Sequence, residues 1–150
     1  MTSLTQLVAA MLLAVMFAGC GAYQLRGRVV EGPRSEASVI GADDPRLAGP
    51  PIADATVRFI LDPQSAGRKV LGQTVTDDSG NFVLPVDVLG AGTLEYELLV
   101  IARADKKAPA MSVVQVPSSG RRILVTLQPG RDRPVSDVDA LDKINPYISD

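Results

Sequence analysis

The stretch Thr76-Asp77-Asp78-Ser79-Gly80-Asn81-Phe82 has the residues of a tight turn between two β-strands. The Asp side chains can close an Asx-type turn, and Gly80 can take the positive φ that a type I turn followed by a G1 bulge requires. On both sides of the turn, apolar and polar residues alternate in short runs, which is the period of a half-buried strand. We therefore predict a β-hairpin here.

The same alternation extends outward from the hairpin, from Tyr23 to Pro129. In the run Tyr96–Ala102 both faces are almost wholly apolar, which predicts a central strand whose Leu99 and Ile101 are covered by the tail or by a neighbouring protein. Seven strands in one small unit indicate a two-sheet β-sandwich. We predict these strands at Tyr23–Glu31, Ala55–Asp62, Lys69–Thr76, Asn81–Asp87, Tyr96–Ala104, Met111–Val116 and Arg121–Gln128. The residues expected to face the core in the second and last strands are Val57, Phe59, Leu61, Ile123, Val125 and Leu127.

Composition limits the chemistry that the chain can perform. The 150 residues carry 15 Lys and Arg against 17 Asp and Glu, a net charge of −2, one Cys and no His. One small domain fits this length, and the charge balance gives no reason to expect nucleic acid as a partner. Without His, the commonest zinc ligand and every Ser-His or Cys-His nucleophile pair are excluded. We expect no cofactor, no metal and no enzymatic activity.

The first segment is predicted to be an export signal. Every residue from Leu7 to Ala18 is apolar, a run too short to cross the roughly 30 Å of a bilayer core but typical of a signal peptide. All charged residues lie beyond Gly21. We divide the chain into a signal peptide at 1–19, a sandwich at 20–130 and a C-terminal tail at 131–150.

The end of this segment, Phe17-Ala18-Gly19-Cys20-Gly21, resembles the lipobox of bacterial lipoproteins. The resemblance implies that Cys20 becomes the mature N-terminus and is acylated, for example with palmitate, so that the protein stays attached to a membrane. Gly21 follows the Cys where an Asp would favour retention at the inner membrane, so the outer membrane is favoured. An ordinary signal cut near Ala18 or Ala22, or an uncleaved anchor helix, would also export the rest.

Four ordered segments resemble the carboxypeptidase regulatory-like, or transthyretin-like, β-sandwich family. They are Gly27-Arg28-Val29, Gly49–Val57, Thr76–Phe82 and Tyr96–Val100, and Asp54 stands where Gly is frequent in the family. The resemblance implies a Greek-key sandwich of the prealbumin type. Such modules are usually non-catalytic and accompany zinc carboxypeptidases, TonB-dependent receptors, adhesins and exported lipoproteins.

The connection Gly32–Pro51 is long and rich in Gly and Pro, which makes it the candidate binding loop, with Asp43, Asp44 and Arg46 as the candidate binding residues. The pair Asp43-Asp44 also leaves open an enzyme that uses only carboxylates. Tyr147 is a free aromatic candidate for stacking on a sugar. The basic pairs Lys106-Lys107 and Arg121-Arg122 can meet anionic head groups or glycans, or simply be solvated loop ends.

Two further alternatives concern metal and the tail. Asp77, Ser79 and Asn81 have the first, third and fifth spacing of a calcium loop, but Phe82 occupies the position that needs Gly, so a structural turn is expected. Ser136, with Asp139 three residues later, can cap a short helix in the tail, with Val138, Leu141 and Ile144 as its apolar residues.

These features predict an exported, membrane-anchored lipoprotein that binds or scaffolds an envelope protein or glycan. The alternative is a subunit of a trans-envelope secretion machine, because type VI secretion includes an outer-membrane lipoprotein with a transthyretin-like fold.

Overall fold

The chain folds into a sandwich of two four-stranded β-sheets in a computed structural model that describes residues 23–87 and 95–136. Sheet A has the strand order β2-β8-β1-β5 and sheet B the order β4-β3-β6-β7. Strands β1 and β8 run parallel, and all other neighbouring strands are antiparallel. The strands are β1 Tyr23–Glu31, β2 Glu36–Gly41, β3 Thr56–Leu61, β4 Lys69–Val75, β5 Asn81–Val86, β6 Glu97–Arg103, β7 Ala110–Gln115 and β8 Arg121–Leu127. The predicted all-β sandwich is confirmed.

The sandwich has eight strands rather than the predicted seven. The additional strand is β2, which lies inside the connection Gly32–Pro51 and pairs with β8. The prediction was wrong because Gly, Pro and Asp surround this six-residue strand, although its Ala37 and Ile40 are buried. The other seven strands begin and end within one residue of the predicted bounds.

The inner faces of the two sheets enclose one apolar core. Phe59 of sheet B and Phe82 of sheet A meet in it, with ring centroids 5.8 Å apart and planes tilted by 45°. Each fully buried apolar side chain of this size contributes about 1.5–3 kcal/mol to folding. The six residues predicted to face the core from β3 and β8 are all buried: Val57, Phe59, Leu61, Ile123, Val125 and Leu127.

The close contact of β1 with β8 depends on Gly27. A Cβ atom at this position would lie 2.1 Å from the carbonyl oxygen of Ile123 and 2.4 Å from the ring of Phe82. These two neighbours leave no room for a methyl group at position 27, so only glycine fits in the middle of β1.

The predicted turn is confirmed, but the predicted β-hairpin is wrong, because the turn joins β4 of sheet B to β5 of sheet A and these two strands do not pair. The Asp77 carboxylate accepts hydrogen bonds from the backbone N–H groups of Ser79 and Asn81 at 2.9 and 2.8 Å. Gly80 has φ +75° and donates to the carbonyl of Asp77. Asp54, at the position where the resembling family often has Gly, also has a positive φ of 56°. Asp tolerates this left-handed conformation better than most residues, which explains how it can replace Gly here.

The outer face of sheet B is covered in part by the tail, one of the two covers that the sequence left open. Leu99, Ile101 and the neighbouring Ile60 form an apolar cluster on this face, and Val135 packs against it. Asp132 holds the same segment through two hydrogen bonds of 2.9 Å from the guanidinium of Arg103. The predicted helix beyond Ser136 lies outside the described residues.

The two long sides of the sandwich differ. On one side β2 and β7 are joined by a hydrogen bond of 2.9 Å from the backbone N–H of Ala37 to the hydroxyl of Ser112. On the other side β4 and β5 meet less closely. Val70 and Val75 of β4 and Val83 of β5 are about half exposed. Within residues 23–87 and 95–136, no helix is long and apolar enough to cross a membrane.

Candidate functional site

The candidate binding loop is more ordered than its composition suggested. After β2 the chain makes a 3₁₀ turn at Pro45–Ala48, whose Leu47 packs on the outer face of sheet A. There it covers Val30, Ile40 and Leu124, which are almost fully buried. The connection therefore closes one half of this face.

Asp44 and Arg46 bind each other. The Asp44 carboxylate accepts a hydrogen bond of 2.9 Å from the backbone N–H of Arg46, which caps the 3₁₀ turn, and two more from its guanidinium at 3.0 and 2.8 Å. These bonds, the side-chain bonds first, lower the pKa of Asp44 to about 2. Asp44 is thus ionised at neutral pH and serves as a cap, while Arg46 remains exposed beside it.

The other predicted site residues do not join this pair. Asp43 is exposed and makes no hydrogen bond or ion pair with any residue of the described ranges. Cys20 and Tyr147 lie outside those ranges. The loop therefore offers an acidic side chain at Asp43 and a shallow groove of mixed charge, lined by Glu31, Arg34, Glu36 and Arg46 among others.

The residues with calcium-like spacing stabilise the turn between β4 and β5. The Asp77 carboxylate is occupied by two backbone N–H groups, as described above. In the part of the chain that the structure describes, no group of three or more acidic, Cys or His residues is arranged to hold a metal ion.

The two basic pairs have different surroundings. Lys107 forms an ion pair with Glu31, whereas Arg122 lies on the outer face of sheet A beside a groove that Arg26 and Arg28 also line. Sequence reasoning missed Arg26 and Arg28 as site residues. The alternation of β1 could have identified them, because Leu25, Gly27 and Val29 face inward and Arg26 and Arg28 therefore face outward.

No protein-family model matches this chain, and no curated protein sequence matches it.

Proposed function

We propose that this chain is an exported lipoprotein whose acyl chains on Cys20 hold a non-enzymatic binding or scaffolding sandwich at the surface of a membrane in the cell envelope. The observation that carries the proposal is the short distance between the anchor and the fold. β1 begins at Tyr23, three residues after Cys20, and three residues span at most about 10 Å. Lipid on Cys20 would keep the sandwich directly against the head groups.

The free energy of burying acyl chains in a bilayer supports stable anchoring. Each buried CH₂ group of an acyl chain contributes about 0.8 kcal/mol, and more than one chain is needed for a lasting attachment. The Phe17–Gly21 segment resembles a lipobox, and the modification of a lipobox cysteine supplies several acyl chains. Confinement to the membrane then raises the effective concentration of the sandwich for partners that are confined there too.

The acidic residues also support a role without catalysis. Asp77 binds two backbone N–H groups, and Asp44 binds Arg46. Both carboxylates are engaged in shaping loops, so neither is available as a general acid or base for a substrate. A carboxylate enzyme built on Asp43-Asp44 would have to break the contact between Asp44 and Arg46.

Mass spectrometry of the membrane fraction tests the proposal. We expect the mature protein to begin at Cys20 and to carry acyl mass, and we expect the outer-membrane fraction to contain it. Cys20→Ser should release the sandwich from membranes, whereas Ala22→Ser, which adds the same hydroxyl two residues later, should leave it attached. A mature protein without acyl mass on Cys20 would refute the anchoring.

The second candidate, a subunit of a trans-envelope secretion machine, is favoured by the exposed valines. Val70 and Val75, about half exposed, lie on β4 at the edge of sheet B, where a protein partner could cover them. If the protein belongs to a trans-envelope secretion machine, we expect Val75→Asp to dissociate it from a defined multiprotein complex. Retention on glycan or peptidoglycan that Val75→Asp leaves unchanged would favour the free binding module.

A further inference from the structure

The uncovered half of the outer face of sheet A carries three arginines. Arg26 and Arg28 project outward from β1, and Arg122 does so from β8. Gly27 pairs with Ile123, so Arg26 and Arg122, one residue earlier in each parallel strand, are neighbours on this face. We call Arg26, Arg28 and Arg122 the arginine face.

The arginine face has no acidic partner in the described ranges. Arg26 binds the side-chain oxygen of Gln24, and Arg122 binds the carbonyl oxygens of Ser119 and Arg121. The guanidinium of Arg28 forms no hydrogen bond or ion pair with any described residue, and its Nε atom is buried. A buried donor without an acceptor is unusual in a native structure and costs stability, so an oxygen atom from outside the described residues would stabilise Arg28.

The surface around these arginines is shaped to receive an anion. An open groove of about 360 Å³ is lined by all three, together with Asn81 and Phe82. A second groove, which Arg26 and Arg122 also line, extends to Tyr23, Ser118 and Arg121. Neither groove is lined by Asp or Glu. Guanidinium groups present planar pairs of donors that match the oxygens of a phosphate group.

The second groove begins where the chain enters the fold. Tyr23 lines it and is the first residue of β1, three residues after Cys20. Because those residues span at most about 10 Å, an acylated Cys20 would bring this end of the arginine face to the depth of the lipid phosphates. Basic residues at that depth are attracted to anionic lipids, by about fivefold in affinity for each residue.

We propose that the arginine face binds the phosphate groups of anionic phospholipids, so that the sandwich rests on the membrane through sheet A. This inference rests on the proposed function, which supplies the membrane. It assigns an orientation to the tethered domain: sheet A faces the bilayer, and the outer face of sheet B faces away from it.

The test uses the full chain in micelles of a neutral detergent that contain either phosphatidylglycerol or phosphatidylcholine. Affinity is measured from the rise in the thermal unfolding midpoint with lipid fraction, and contact from the resonances of the arginine Nε–H groups. We expect phosphatidylglycerol to raise the midpoint and to shift the resonances of Arg26, Arg28 and Arg122. Phosphatidylcholine should do neither, and 0.5 M salt should weaken the effect.

Substitutions assign the effect to these residues. The triple variant Arg26→Gln, Arg28→Gln, Arg122→Gln should lose about 100-fold in affinity for phosphatidylglycerol. A control with the same change in net charge, Arg68→Gln, Arg131→Gln, Arg133→Gln, should lose less than twofold. Arg28→Lys keeps the charge but not the planar donors, so its affinity for phosphatidylglycerol should lie between those of the unchanged protein and of Arg28→Gln. This comparison tests the inference if the triple variant does not fold.

Several results would overturn the inference. Equal binding of both lipids, or equal losses in the triple variant and its control, would remove the arginine face as the cause. If inorganic phosphate alone, at matched ionic strength, shifts the same resonances with the same affinity, the face is a site for free anions and the membrane orientation is wrong. Acyl mass on Cys20 without any preference for phosphatidylglycerol would leave the anchoring intact and reject only this inference.

Discussion

Some charged residues in this protein act on the chain close to them. Asp44 shows this, because its carboxylate caps the 3₁₀ turn and holds the guanidinium of the residue two positions later. The same pair had been predicted as binding residues on the strength of charge in a long connection. The sequence cannot distinguish a charged residue that is free to bind a ligand from one that is paired with a neighbour, because the same residue types occur in both cases.

The contact between Asp44 and Arg46 makes the turn sensitive to acid. The pKa of Asp44 is lowered in the folded protein to about 2 from an ordinary 3.8. Its contribution to stability is therefore fully present above pH 4 and is lost as the pH falls from about 4 towards 2. We expect Arg46→Gln to raise the pKa of Asp44 towards 3.8, measured by NMR titration.

Arg34→Gln, in the same connection, is the control and should leave the titration of Asp44 unchanged. Since Asp44 and Arg46 are near the surface, 0.5 M salt should reduce the difference. An unchanged pKa of Asp44 in Arg46→Gln would contradict the pairing.

At the level of strands, alternation predicted seven of the eight elements, because burial of one face imposes a period of two on the sequence. β2 does not show this period, since its inward residues include the small Ala37 while Ile40 is buried on the opposite face under Leu47. Contacts on both faces blur the pattern, and the neighbouring Gly and Pro residues add loop signals. The arginine face was missed for a different reason: it is assembled from β1 and β8, which are about ninety residues apart and paired in a register that no local pattern contains.

Gly27 is the position where two strands and an aromatic ring come closest together. We expect Gly27→Ala to lower the free energy of unfolding by about 2–3 kcal/mol, because its methyl group would force the Ile123 carbonyl and the Phe82 ring apart. Urea denaturation followed by circular dichroism measures the change.

Gly120→Ala is the matched control, since a Cβ atom there meets nothing within 4 Å. It should change the free energy of unfolding by less than about 0.5 kcal/mol. Equal effects of the two substitutions would mean that β1 and β8 are less closely packed than described.

At the scale of the whole molecule, the outer faces of the two sheets are protected differently. Sheet A is covered on one half by the 3₁₀ turn and exposes arginines on the other, whereas sheet B has an apolar outer face on which the tail lies. The sequence predicted that Leu99 and Ile101 need a cover, because a strand apolar on both faces cannot be left in water. It left open whether the tail or another protein provides it, since a single apolar residue such as Val135 carries little signal.

The tail is expected to stabilise the sandwich through Val135. Val135→Ala removes part of a half-buried apolar contact with Ile60, Leu99 and Ile101, and should lower the free energy of unfolding by about 1 kcal/mol. The neighbouring Arg133 is exposed, so Arg133→Ala should change it by less than about 0.5 kcal/mol. Urea denaturation of both variants makes the comparison, and no difference between them would mean that the tail does not hold the face.

The parallel pairing of β1 with β8 has a consequence for when the chain can fold during its synthesis. These are the first and last strands of the sandwich, and they lie together in the centre of sheet A. A chain that emerges from a narrow channel with its amino end first cannot complete this sheet until residues 121–127 have passed through. Sheet A therefore stays incomplete until almost the whole chain has emerged, and premature termination before β8 would remove a central strand and not an edge strand.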